Sequence, residues 1–244
     1  MYKTLFENWK KSEIIWVSFA TIALIIASCV SFQFTSNDFF SALMLVGTIF
    51  GTWGIIITNK LKQFNFIIKF VSAIILSITY FHLLLFGMAF INLLMLMPLQ
   101  LHGFYKWIEH KNGGGLVHLN KIQNNRNNIL IFLSLIIGSL AIYFGIHGLF
   151  DRIEFLMPIH QLEIAKILQF TDTLGAAASV VAQFLMNLCY TNQMFYWIIV
   201  NISQILVFSY LIFVENNLTV FPMLTMYIIW LINSIYILTR WNKK

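Results

Sequence analysis

Charge is what this chain lacks most. Only 10% of its 244 residues are Asp, Glu, Lys or Arg, where a soluble domain carries about 25%. That scarcity excludes an ordinary soluble domain. Acidic residues are the rarer sign, 9 against 15 basic ones. The resulting net charge of +6 does not describe a nucleic-acid surface, because the Lys and Arg lie between apolar runs and not on one soluble face. Cysteine is scarce too. Cys29 and Cys189 both sit inside apolar segments, which excludes a disulfide framework. "IASC" ending at Cys29 has the look of a lipoprotein signal, but no soluble domain follows it, so the first apolar run is expected to stay. His110 and His118 have no metal-ligand spacing, and no Walker-type phosphate loop is present. No His and Asp share a mid-depth helical face, which argues against a lipid-modifying membrane enzyme. What is abundant is apolar: 59% of residues, 24 of them Phe, with a mean hydropathy of +0.81.

A spanning helix needs about 20 mostly apolar residues. Eight such runs are expected, near Glu13–Phe32, Phe40–Asn59, Phe64–Tyr80, Phe86–Trp107, Asn128–Gly148, Asp172–Tyr190, Met194–Val214 and Thr219–Leu238. The split between the third and fourth rests on His82 and Gly87. The basic residues test the count. Lys3, Lys10, Lys11, Lys60, Lys62, Lys106, Lys111, Lys121, Arg126, Arg240, Lys243 and Lys244 all fall on one side of an eight-span chain, so both termini are expected in the cytoplasm. The stretch "MPIHQLEIAKILQF" is expected to form a short interfacial helix before Asp172.

"KQFNFIIKFVSAIILSITYF" and "NQMFYWIIVNISQILVFSYL" open alike, and "GFYKW" and "LTRW" close alike. Phe64 and Trp197 are 133 positions apart, Trp107 and Trp241 134. Spans two to four and six to eight therefore read as a duplicated bundle. The fold expected is an all-α polytopic membrane protein. Two parallel three-helix repeats are joined by a linker helix, with an extra helix in front. The divisions are 1–39 (tail and extra helix), 40–110 (first bundle), 111–171 (loop, linker helix, outer loop) and 172–244 (second bundle and tail).

The intramembrane polar residues fall on single helical faces. Asn92, Gln100, Gly103 and Trp107 share one, Asp172, Ser179, Gln183 and Asn187 a second, and Trp197, Asn201 and Gln204 a third. Amides in lipid are expensive, so these faces should turn inward. Interhelical glue would need one pair; three converging stripes suggest a pocket. The expected substrate-binding residues are Trp197, Asn201, Gln183, Gln100, Asn92, Ser179 and Gln204, with Gln183 and Gln204 both near mid-depth. Pro98 is expected to kink the fourth span. Lys69 is expected to snorkel to the cytoplasmic surface. Amides, hydroxyls and indoles without a cation suit a neutral or cationic polar solute, and an indole face favours a cationic ring. No carboxylate is expected at mid-depth, since Asp172 would begin its helix. That leaves no proton relay, and uniport is the simplest mechanism. A scaffold subunit that transports nothing is the rival of another class, but it would not need three converging amide faces.

"QLHGFYKW" resembles the Q-x-x-G-x-x-x-W close of the fourth helix in the PnuC family of nicotinamide riboside transporters. "DTLGAAASVVAQFL" followed by "FYWIIVN" resembles that family's W-x-x-W-x-x-x-N signature, with Met194 at the first Trp position and Trp197 and Asn201 retained. The likeness runs from about Phe40 to Trp241. It implies a core similar to the SWEET sugar transporters and facilitated diffusion of nicotinamide riboside through a bacterial inner membrane. It also implies trapping by a cytoplasmic riboside kinase, a homo-oligomer such as a trimer, no cofactor or metal, and no enzymatic activity. Thiamine and riboflavin are the alternative cargoes of related carriers.

Overall fold

The computed structural model describes residues 9–34, 38–58, 60, 62–83, 85–109 and 162–241, and positions 130, 133, 134, 137, 138, 141 and 145, with the side chains at 38, 162–169, 240 and 241 excepted. Every long element among them is a helix: α1 Lys11–Phe32, α2 Asp38–Thr58, α3 Asn65–His82, α4 Phe86–Glu109, α5 Leu162–Asn187, α6 Gln193–Phe213 and α7 Phe221–Trp241. Where eight spans were expected, six helices among the described residues are long and apolar enough to cross a membrane. The other, α5, is longer still at 26 residues; it is more polar because it begins ten residues before Asp172 and takes in Glu163 and Lys166. The separate interfacial helix is thus not formed: Leu162–Phe170 is the first part of α5, and residues 157–161 lie outside the described residues. So does most of the expected fifth span, whose seven described positions are helical.

The helices pack α2 on α3, α3 on α4, α4 on α5, α5 on α6, α6 on α7 and α7 back on α2. This closes a ring of six. The third helix of each expected bundle meets the first helix of the other. α1 lies outside the ring, over the seam of α7 and α2. Lys10 N–H donates to Glu13 Oε2 at 2.7 Å, starting α1, and the Glu13 carboxylate pairs with Lys60 beside α3. The ring's outer surface is apolar, with Phe195, Leu206 and Phe213 among its exposed side chains, as a lipid-facing surface must be.

α4 and α5 run parallel. Met88 meets Asp172, Gln100 meets Gln183 and Trp107 meets Met186, so both sequences advance in the same direction. α4 changes pitch on the way: Ile91–Leu96 is a π-helical turn between two α-helical parts. It precedes Pro98, which has no N–H to give, and Asn92 Nδ2 donates to the Met88 carbonyl at 2.7 Å. A wide turn thus precedes Pro98, and the Met88 carbonyl just before that turn accepts from a side chain.

Candidate functional site

A cavity of about 50 Å³ lies at the centre of the ring, and every ring helix gives it a wall. α2 contributes Gly51, α3 Lys69 and Tyr80, α4 Asn92 and Gln100, α5 Ser179, α6 Trp197, and α7 Tyr227 and Trp230. A buried water needs about 10–15 Å³ of such space, so a larger solute requires the walls to part. A second cavity of about 10 Å³ adjoins the first toward the end that carries Lys60 and Lys62, here called the basic end. Ile55, Lys69 and Trp197 line both. Met194, at the position where relatives were expected to have Trp, lines the smaller one.

The expected site residues separate into two groups. Trp197, Gln100, Asn92 and Ser179 all face the central cavity. Gln183, Asn201 and Gln204 are buried behind it. Gln100 Nε2 donates to Gln183 Oε1 at 3.0 Å, and Gln183 Nε2 donates to Asn187 Oδ1 at 2.8 Å. Asn187 Nδ2 in turn donates to the Leu99 carbonyl at 2.8 Å and lies 3.3 Å from His102 Nδ1. This chain of amides ties α4 to α5. Gln183 is eleven positions beyond Asp172, about 16 Å along the helix. Gln204 Nε2 donates to Asp172 Oδ1 at 3.3 Å. Gln183 and Gln204 are therefore not level, contrary to expectation. Asn201 Nδ2 donates to Ser234 Oγ at 3.2 Å. The oxygens Gln100 Oε1, Asn201 Oδ1 and Gln204 Oε1 are buried with no hydrogen-bond partner among the described residues. Buried polar atoms are normally satisfied; Ser28 Oγ, Gln63 Oε1, Asn65 Oδ1 and both amide atoms of Gln193 are open in the same sense, and of all these residues only Gln100 lines the central cavity among the described residues.

The Gln100, Gly103 and Trp107 face is structural at its far end. Trp107 is fully buried, donates from Nε1 to the Met186 carbonyl at 2.8 Å, and packs edge-on against Phe66. Gly103 is needed because a Cβ there would lie 2.3 Å from both Asn187 Oδ1 and Phe66 Cε1.

Two charged residues overturn their expectations. Asp172 was expected at the outer end of its helix, but it is buried within α5 beside Gln204, the twelfth of the 21 residues of α6. Its Oδ2 accepts from Met88 N–H at 3.2 Å, capping the first turn of α4, where the helix dipole favours negative charge. Gly87 leaves room for it, since a Cβ there would lie 2.4 Å from Oδ2. Lys69 was expected to snorkel to the surface. Its ammonium instead points inward, 5.6 Å from the centroid of the Trp197 ring and 3.5 Å from Met186 Sδ. A lysine amine therefore lies inside the central site.

The walls from α2, α3 and α7 were not foreseen. Trp230 Nε1 donates to Thr52 Oγ1 at 3.1 Å, and Trp230 packs edge-on to Tyr227, whose hydroxyl meets that of Tyr80. Trp230, Asn233 and Ser234, spaced at i, i+3 and i+4, make one more face that sequence could have offered.

The geometry agrees with known proteins. The model of the family described as nicotinamide mononucleotide transporter matches residues 41–243. The nicotinamide riboside transporter PnuC of Neisseria mucosa is 27% identical over 241 residues, covering 99% of this chain and 84% of that protein. The crystal structure of the vitamin B3 transporter PnuC matches with a TM-score of 0.75 and 28% identity, over 99% of this chain and 95% of that one.

Proposed function

We propose that this chain, which belongs to the nicotinamide mononucleotide transporter family, carries nicotinamide riboside into the cell by facilitated diffusion. One observation carries this reading above the rest. The Trp197 indole forms part of a central cavity lined by six helices, and it already has a cation over its ring. A pyridinium can use the same face, while its carboxamide and ribose hydroxyls meet the lining Asn92, Gln100 and Ser179. Trp197, Asn201, Gln183, Gln100, Asn92, Ser179 and Gln204 remain the proposed binding set, with Gln183 acting through Gln100.

The way Asp172 is held supports uniport. Its carboxylate is fixed by Met88 N–H and Gln204, which suits a permanent cap and not a shuttle. A mononucleotide adds a phosphate dianion, and the cavity lining offers it one ammonium. Desolvating the rest would cost several kcal/mol. The riboside is therefore the cargo, and a cytoplasmic kinase that phosphorylates it would trap it. The basic connections support a topology with both termini in the cytoplasm of a bacterial cell; the proposal includes the inner membrane as its location and a homo-oligomer as its assembly. The ring reads as two parallel three-helix repeats. Parallel α4 and α5 need one return crossing between them, which the expected linker over Asn128–Gly148 would supply.

The test uses purified protein in vesicles without a kinase. Labelled riboside should reach equal concentrations on both sides and stop, whatever pH or sodium gradient is imposed. Accumulation driven by either gradient would exclude uniport. Uptake of the mononucleotide at a matching rate would exclude the cargo. For topology, a cysteine at Asn216 should react with an impermeant reagent outside the cell and one at Lys62 should not, in a Cys29→Ala background.

A further inference from the structure

We infer that Lys69 is a tethered competitor for the substrate and the gate on the basic side of its cavity, an inference that rests on the cationic-ring reading above. The lysine is built into this place. Its stem passes where Gly54 has no side chain, since a Cβ at Gly54 would lie 2.7 Å from Lys69 Cγ. Its ammonium rests near the Trp197 ring and Met186 Sδ. Among the described residues it has no carboxylate partner within ion-pair distance. A lysine near a helix end ordinarily extends its head to the interface. Lys69 is the fifth residue of α3 and turns inward instead, which leaves the indole as its main electrostatic partner.

Position gives this contact its consequence. Lys69 and Trp197 line both the central and the smaller cavity, with Ile55 the only other residue common to both among the described residues. The lysine therefore helps form the partition between them. One indole face does not hold two cations, because they repel each other at close range in a low-dielectric site. A pyridinium that takes the Trp197 face must displace the ammonium. The smaller cavity can receive it: Thr58 and Ser234 line that space with hydroxyl oxygens able to accept from an ammonium. Moving Lys69 there exchanges one cation for another at the indole and shifts the partition. Substrate arrival and opening toward the basic side become one event. A neutral ring lacks the charge to compete, so Lys69 also acts as a selectivity filter.

The experiment measures equilibrium binding of labelled riboside to the purified full chain. Lys69→Met removes the competitor and should tighten binding roughly 3- to 30-fold. Lys69→Arg, which keeps a cation at the indole, should show none of that gain. A second readout needs no change at Lys69. Thr58→Cys, in a Cys29→Ala background, should react faster with a permeant maleimide when riboside is saturating, because the partition has moved. If the parent protein binds riboside, but Lys69→Met binds no tighter and riboside leaves the Thr58→Cys rate unchanged, the gate is wrong and the function stands. If the parent protein does not bind riboside at all, the proposed function itself fails.

Discussion

The seam between α4 and α5 and the wall formed by α6 use the same side chains to opposite ends. On the seam, Gln100, Gln183 and Asn187 spend their NH₂ groups on one another and on the Leu99 carbonyl. Trp107 is fully buried there, with its N–H on a backbone oxygen. On α6, Asn201 and Gln204 each donate once and leave a buried oxygen open, and Trp197 remains partly accessible in the cavity. Intramembrane amides therefore do not identify a binding site by their presence. Whether their partners are already in the protein decides between glue and recognition. Gln100 belongs to both regions: it lines the cavity, donates along the seam and leaves its Oε1 without a hydrogen-bond partner among the described residues.

The strongest way to break the contrast is to break the seam. Gly103→Ala would put a methyl 2.3 Å from Asn187 Oδ1 and Phe66 Cε1, and no small rotation relieves both. Overpacking of this kind costs about 3 kcal/mol. The variant should lose monodispersity in detergent, or melt well below the parent, whether or not riboside is present.

The next pair sharpens the contrast. Gln183→Leu should cost about 1–2 kcal/mol of stability, since it strands Gln100 and Asn187. Asn201→Leu removes an open acceptor, so its loss should fall on binding, roughly 5- to 30-fold in affinity, with little change in melting temperature. Thermal melts and binding measured on both proteins would separate the roles. The reverse pattern would exchange the two assignments. The smallest effect is expected from Asn92→Ala. It frees the Met88 carbonyl beside the π turn and removes an amide from the cavity lining; the melt should register about 0.5–1 kcal/mol, and riboside affinity should fall roughly 2- to 5-fold.

Much of this was legible in the sequence. Apolar runs and basic connections gave the helices, and helical periodicity brought Gln100, Gly103 and Trp107 onto one face that is in fact buried. What periodicity does not report is register between neighbours. Nothing in the sequence of α4 says that Gln100 stands opposite Gln183. Asp172 was misplaced because Glu163 and Lys166 made the first turns of α5 look like a separate interfacial helix, so the spanning helix was started too late and the carboxylate set too shallow. The inward turn of Lys69 depends on the gap at Gly54, a contact between two helices that neither shows alone.

The central claim is that the Trp197 face receives the cargo, and riboside binding to purified Trp197→Ala tests it most directly. Losing an aromatic cation face and its contact area is worth about 2–3 kcal/mol, or roughly 30- to 150-fold in dissociation constant. Trp197 lies away from the α4–α5 amide chain, so the melting temperature should stay close to the parent's. That combination, binding lost and fold kept, is the predicted result. Riboside bound by Trp197→Ala as tightly as by the parent protein would contradict the account.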